Sequence, residues 1–182
     1  NPTLIEAAKK QGGFDFDMNI NLNVIGKIGD KLKVYEYPEE GATYIMGVDS
    51  AKGNFGDYSV INVLKVVNQY EIEQVAVYRS NDKSPNDFAQ VCIEVSNYYN
   101  NCYMMVENND VGEIVANYIW YDYECDRILN CDAKGIGIRS TRKTKLAANL
   151  HLKRYMDSGF LTLRDHQTVY ELTRYEEVSP DV

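Results

Sequence analysis

The sequence predicts an α/β protein in which helices flank a mixed β-sheet, and the order of its segments favours this fold class. Three strand-like stretches follow one another between residues 44 and 78, separated by short polar turns. Strand-like runs and amphipathic stretches of helical spacing then alternate along the rest of the chain. A meander followed by alternating strands and helices is typical of a sheet covered by helices.

Length and composition agree with a single globular domain. The chain has 182 residues, of which 45% are hydrophobic and 25% are charged. No apolar run approaches the length of a membrane span and no signal-peptide pattern is found, so we expect no membrane partner. The cysteines form no C-x-x-C pair and are not spaced with a histidine as zinc ligands, so we expect buried free thiols.

The first 40 residues look less regular than the rest. Gly12 and Gly13 interrupt an early helical stretch, and residues 32–37 alternate as a strand that Pro38 ends. We therefore predict a lead-in or linker over residues 1–40 that packs on the domain, and one domain over residues 41–182.

The predicted meander consists of residues 44–48, 59–67 and 72–78. The run YIMGV is continuously apolar, which indicates a strand buried on both faces. Asn68 and Gln69 provide a short turn between the second and third strands.

Four helices and three further strands follow the meander. The residues predicted to cap the helices are Ser84, Asp110, Thr141 and Asp165. Gly159 suits the end of the third helix. The strands are expected at residues 102–106, 128–131 and 160–163. This order is found in ribonuclease H-like (RuvC-like) folds, so we predict an α/β fold of that class, a mixed sheet flanked by helices.

Two carboxylates follow apolar strands and are the main candidates for chemistry. Asp49 comes directly after the run YIMGV, and a loop with two glycines then leads to Asp57. Glu107 ends the apolar run CYMMV. An isolated charge at the end of a buried strand is costly unless a cation meets it. Taken alone, Asp49 is more simply a turn-capping residue and Glu107 an exposed strand end. If the two strands are neighbours, the carboxylates converge and a divalent metal site becomes the better interpretation.

The net charge of −8 argues against a general DNA-coating protein. One basic stretch nevertheless stands out. Seven basic residues and no acidic residue lie between Lys134 and Arg154. Such a stretch suits either a phosphate backbone or a solvated helix face, and charge alone does not separate the two. The candidate DNA-binding residues are Arg139, Arg142, Lys143 and Lys145.

Three segments resemble the nuclease domain of terminase large subunits, the DNA-packaging motors of tailed bacteriophages. YIMGVDSAKGNFGDYSVINVLKV is similar to the opening strands of that domain, and VENNDVG looks like its second acidic motif. GIRSTRKTKLAANLHLKRYMDSGFLTLRDHQTVYELTRY resembles its later segment. Each motif alone is weakly specific, but together, in this order, they cover most of residues 44–175.

The resemblance implies a metal-dependent endonuclease that cuts concatemeric viral DNA during genome packaging. Asp49 and Glu107 would be catalytic metal ligands for two Mg²⁺ or Mn²⁺ ions, with Asp57 in a supporting role. The family's third carboxylate lies on a final helix that this sequence does not match, so we expect it beyond Val182. Expected partners are double-stranded DNA, an ATPase domain of the same polypeptide, the portal protein and the small terminase subunit, in the host cytoplasm.

Three other functions remain open at this stage. A non-catalytic module that docks on the portal or binds DNA would need neither metal nor nucleotide. One half of an actin-like ATPase would bind nucleotide, but it needs a second phosphate loop that we do not find. A Holliday-junction resolvase would share the metal site and prefer branched DNA.

Overall fold

The computed structural model describes residue 28 and residues 31–130 and 135–175. The strands are β1 (Leu32–Val34), β2 (Thr43–Asp49), β3 (Ser59–Val66), β4 (Ile72–Ser80), β5 (Tyr103–Val106) and β6 (Leu161–Thr162). The helices are α1 (Pro85–Tyr98), α2 (Val111–Asn117), α3 (Arg142–Asp157) and α4 (His166–Thr173). A π-helical turn, Tyr118–Asp122, continues α2.

The strands form one mixed sheet in the order β1-β4-β3-β2-β5, and the short β6 also pairs with β4. β2, β3 and β4 are the predicted antiparallel meander. β5 pairs with β2 in parallel, with Val48 opposite Val106. β1, from the predicted lead-in, is an edge strand of the same sheet. The predicted mixed sheet with flanking helices is therefore confirmed.

The two faces of the sheet differ in how they are covered. Alternate residues of β2 and β5, such as Met46 and Met104, are buried and join the buried side chains of α1 and α2 in one core. The residues between them in each strand face the other side of the sheet and are more exposed, as with Tyr103 at 54% and Met105 at 49%. α3 and α4 lie on this open side, and neither contains a buried residue. A space is therefore left between the open face and these two helices.

Three of the four predicted helix caps are confirmed. The side chains of Ser84, Thr141 and Asp165 each accept a hydrogen bond from the backbone N–H three residues later. The prediction for Asp110 was wrong, because this residue precedes α2 with φ 49° and its side chain makes no capping bond. Gly159 follows α3 with φ +69°, as expected for a glycine that ends a helix.

The strand predicted at residues 128–131 is reduced to one bridge between Ile128 and Met104. The chain leaves the sheet at Asn130, whose side chain accepts a hydrogen bond from the Gly137 N–H, and Cys131 lies outside the described residues. Cys92, Cys102 and Cys125 are buried free thiols, as predicted. Over residues 31–130 and 135–175, no helix has the length and apolarity needed to cross a membrane.

A buried polar network fixes α4 against the sheet. Gln74 on β4 accepts hydrogen bonds from the backbone N–H groups of Arg164 and Asp165. Asp165 is 2% exposed, and its carboxylate accepts hydrogen bonds from Tyr35, Thr168 and Lys33. Burial alone would raise the pKa of Asp165, but these hydrogen bonds outweigh it and hold the pKa at about 2.

Replacing Asp165 should test how strongly this network holds the fold. We expect Asp165→Ala to lower the free energy of unfolding by about 2–3 kcal/mol, because bonds to a buried charge are lost. The surface variant Asp157→Ala, which removes only an ion pair with Lys153, should cost less than about 0.5 kcal/mol. Urea unfolding measures both.

The same comparison has a defined pH dependence. The depressed pKa means that Asp165 stabilises the folded state above its ordinary pKa of 3.8 and loses this effect as pH falls towards about 2. The difference in the free energy of unfolding between the unaltered chain and Asp165→Ala should therefore become smaller as pH falls from 3.8 towards about 2. Equal losses in Asp165→Ala and Asp157→Ala at neutral pH would contradict the account.

Candidate metal and DNA site

The two predicted carboxylates lie side by side at one edge of the sheet. Asp49 is the last residue of β2, and Glu107 directly follows β5. The Glu107 N–H donates to the Val48 carbonyl at 3.0 Å, which continues the parallel pairing to this point. The neighbours Val48 and Val106 point into the core, so Asp49 and Glu107 both lie on the open face.

The electrostatics of Asp49 reflect this crowding. Partial burial of its carboxylate, followed by repulsion from Glu107, raises the pKa of Asp49 above its ordinary value. A backbone hydrogen bond from Ser50 and the charge of Lys145 act in the opposite direction. Asp57, exposed in the loop after β2, adds a smaller repulsion. Two carboxylates that repel each other favour a cation between them.

Lys145 is the predicted basic residue that reaches the carboxylates. It lies in the first turns of α3, and its Nζ is 3.7 Å from Glu107 Oε1. Its side chain is 59% exposed, so it also faces solvent at the mouth of the site. Lys145 is therefore placed to meet an anionic group that approaches Asp49 and Glu107.

The other predicted DNA-binding residues lie further out. Arg142 and Lys143 are exposed in the first turn of α3, and within the described part of the chain they do not line the same cleft as Asp49. Arg139 lines a neighbouring cavity of about 580 Å³, together with Asn109 and Ser140. The basic stretch thus surrounds the start of α3, and Lys145 alone of the four contacts Glu107.

A cleft of about 590 Å³ opens between the sheet and the two outer helices. Asp49 and Glu107 line one wall, Thr144 and Lys145 of α3 line another, and Glu171 and Tyr175 close the far side. Glu171 could not be singled out from the sequence, because a glutamate on a short amphipathic helix looks like any surface residue. Its Oε1 is 2.8 Å from Arg79 Nη1, so it already has a partner.

Asn109 and Gly112 support the position of Glu107, and sequence reasoning did not single them out. The Asn109 amide donates to Glu107 Oε1 at 3.0 Å and to the Ser140 carbonyl at 3.1 Å. Gly112, the second residue of α2, lies directly against the strand end, where an added Cβ would be 1.7 Å from the Glu107 carbonyl oxygen. Both residues stand in the segment VENNDVG, and their contacts depend on the fold.

The carboxylate oxygens of the site suit a hard divalent cation, but only two carboxylates provide them in the described part of the chain. Asp49 and Glu107 offer carboxylate oxygens, the ligands that Mg²⁺ and Mn²⁺ prefer. Burial, followed by repulsion from Glu107, raises the pKa of Asp49, and a bound ion would offset both effects. Among residues 31–130 and 135–175, no group of three potential metal-ligating side chains occurs. The pair therefore fits a metal whose remaining ligands are water or further residues.

The sheet order and helical cover are those of ribonuclease H-like domains. Within that class, the chain belongs to the family described as the terminase ribonuclease H-like domain, whose model matches residues 46–165. That match includes both Asp49 and Glu107 and covers more than half of the chain. The resemblance inferred from the sequence segments is therefore confirmed.

Solved structures share this fold at low sequence identity. The large terminase nuclease of thermophilic phage G20c with bound zinc is 22% identical, with a TM-score of 0.61 over 80% of this chain and 78% of that one. A cobalt-bound structure of the same protein has a TM-score of 0.59 at 21% identity. The match covers 76% of this chain and 66% of the cobalt-bound one, so this chain spans about two thirds of the length of that nuclease. The large terminase nuclease domain of Thermus phage P74-26 is 20% identical, with a TM-score of 0.55.

The close approach of α2 to Glu107 leads to a testable expectation. Gly112→Ala would place a methyl group within 1.7 Å of a backbone oxygen, so α2 or the strand end must move. We expect it to lower the free energy of unfolding by about 1–3 kcal/mol, as overpacking does. Gly47→Ala is the matched control, because a Cβ there meets nothing within 4 Å. It should leave stability unchanged or raise it by up to about 1 kcal/mol. Equal denaturant midpoints for the two variants would show that the contact is unimportant.

Proposed function

We propose that this chain is a divalent-metal-dependent DNA endonuclease that cuts concatemeric viral DNA during genome packaging. The observation that carries the proposal is the pairing of Asp49 and Glu107 at the ends of adjacent parallel strands, on the open face of the sheet. Membership of the terminase family supports the same function. Metal-bound structures of the phage G20c nuclease, with magnesium, cobalt or zinc, support a divalent cofactor.

Asp49 and Glu107 would hold the metal, and Mg²⁺ or Mn²⁺ is the proposed cofactor. Two such ions, when bound, can activate a water and stabilise the leaving oxygen of a phosphodiester. Two carboxylates are few for two ions, so a third acidic side chain from outside the described residues is part of the proposal. Asp57, in the exposed loop after β2, would have a supporting role and add negative charge near the metal.

The basic residues around the start of α3 would hold the DNA backbone. Lys145 lies beside Glu107 and would meet the phosphate nearest the cut. Arg139, Arg142 and Lys143 would contact phosphates further along the strand, where they supply affinity without reading sequence. The amino end of α3 adds a favourable dipole for an anion.

The biological setting of the proposal follows from the family and concerns the whole protein. Terminase membership supports an ATPase domain in the same polypeptide, and the portal protein and small terminase subunit as partners. Double-stranded viral DNA in the host cytoplasm would be the substrate. In the second candidate, a docking module without catalysis, the exposed apolar residues of α3, such as Leu146 and Leu150, would face a partner protein.

Removing one metal ligand tests the function directly. We expect Asp49→Asn to reduce Mn²⁺- or Mg²⁺-dependent plasmid cutting by at least about a thousandfold, because charge stabilisation by the metal is lost. The variant should stay folded, since it removes a carboxylate whose pKa is raised by burial and by repulsion from Glu107. Metal-dependent cutting retained by Asp49→Asn would refute the assignment. No cutting with any metal, either by the unaltered chain or by a longer version that supplies the third acidic side chain, would favour the docking module.

Lys145 should affect DNA binding more than other lysines of the same helix. Lys145→Ala is expected to weaken binding to duplex DNA several-fold, and to reduce the slope of log affinity against log salt by about 0.9. Lys153→Ala is the control, because Lys153 pairs with Asp157 and does not line the cleft. Fluorescence anisotropy in EDTA over a salt series measures both. If both variants changed DNA affinity and its salt dependence equally, DNA would not bind specifically at the Lys145 side of the cleft.

A further inference from the structure

The contacts of the Asn109 side chain point to a function beyond tethering the loop. Its amide has two N–H groups, and both partners, Glu107 Oε1 and the Ser140 carbonyl, are acceptors. The amide nitrogen must therefore face both of them, and an exchange of its oxygen and nitrogen would set oxygen against oxygen. Asn109 is partly buried, which strengthens a hydrogen bond to a carboxylate.

We propose that Asn109 is a positioning residue that orients the Glu107 carboxylate for metal binding and couples it to the start of α3. This inference rests on the proposed function and adds a residue to it. The bond occupies Oε1 of Glu107 and leaves the second carboxylate oxygen for a metal. Residues that orient a metal ligand through a hydrogen bond commonly contribute ten- to a hundredfold in metal affinity.

The second contact extends the effect to the DNA-binding side of the cleft. Ser140, whose carbonyl accepts from Asn109, directly precedes Thr141, the N-cap of α3. Lys145 lies one turn further on and is 3.7 Å from the same Glu107 oxygen. The Asn109 amide therefore links the metal ligand to the start of the helix that carries Lys145, beside backbone hydrogen bonds that join Ile138 to the end of β5.

Asn108 provides a matched comparison within the same loop. Its side-chain amide donates to the Ile136 carbonyl at 2.9 Å, so it ties the end of β5 to the segment that Asn109 also contacts. The Asn108 amide thus donates a hydrogen bond to a backbone carbonyl, whereas the hydrogen bond to the Glu107 carboxylate comes from Asn109. If the asparagines only tether the loop, replacing either one should change metal affinity to a similar extent. If Asn109 orients the metal ligand, only its replacement should weaken metal binding.

Calorimetric titration with Mn²⁺ separates these possibilities. Asn109→Leu and Asn108→Leu keep the shape of the side chain and remove the amide. We expect Asn109→Leu to raise the Mn²⁺ dissociation constant about tenfold or more, and Asn108→Leu to change it less than about twofold. Denaturant unfolding of each variant provides the measure of tethering, and Asn109→Ala replaces Asn109→Leu if the latter does not fold.

Each outcome of the titration has a defined meaning. Unchanged Mn²⁺ affinity in a folded Asn109 variant, or an equal change in both asparagine variants, would overturn the inference and leave the proposed function standing. Binding by the unaltered chain that disappears in Asp49→Asn identifies the titrated site. If neither the unaltered chain nor a longer version that supplies the third acidic side chain binds Mn²⁺, the proposed function fails and the inference fails with it.

Discussion

Parallel pairing of β2 with β5 is the constraint on which the candidate site depends. The two strands are far apart in sequence, and their register sets Val48 opposite Val106. Burial of these two valines requires the next residue of each strand to lie on the opposite face. The packing of the core therefore brings Asp49 and Glu107 together, and burial followed by repulsion from Glu107 raises the pKa of Asp49. A repulsion maintained by the fold in this way is typical of functional sites.

The surroundings of the carboxylate pair are arranged by contacts of modest size. Gly112 lets α2 approach the Glu107 backbone, Asn109 holds the Glu107 side chain, and Lys145 contacts the same oxygen from α3. On the far side, Gln74 and Asp165 hold α4, which brings Glu171 to the cleft. The core thus determines where the carboxylates lie, and these polar contacts determine what surrounds them.

Much of the fold was predictable because its signals are local. Apolar runs marked β2 to β5, and Ser84, Thr141 and Asp165 marked their helices through cap chemistry. Asp110 precedes α2 but has a positive φ and makes no side-chain capping bond, and nothing in its local sequence marked that backbone conformation. Asp49 and Glu107 were identifiable as charges that end apolar strands. The contacts of Asn109 with Ser140 and of Glu171 with Arg79 were not, because these partners are distant in sequence.

The most direct test of the central claim is to locate a bound ion. Crystals of the chain soaked in Mn²⁺ would be examined for anomalous scattering at the manganese edge. The account predicts a peak about 2 Å from carboxylate oxygens of both Asp49 and Glu107. A well-occupied peak elsewhere, or no peak at this pair under conditions that support DNA cutting, would contradict it.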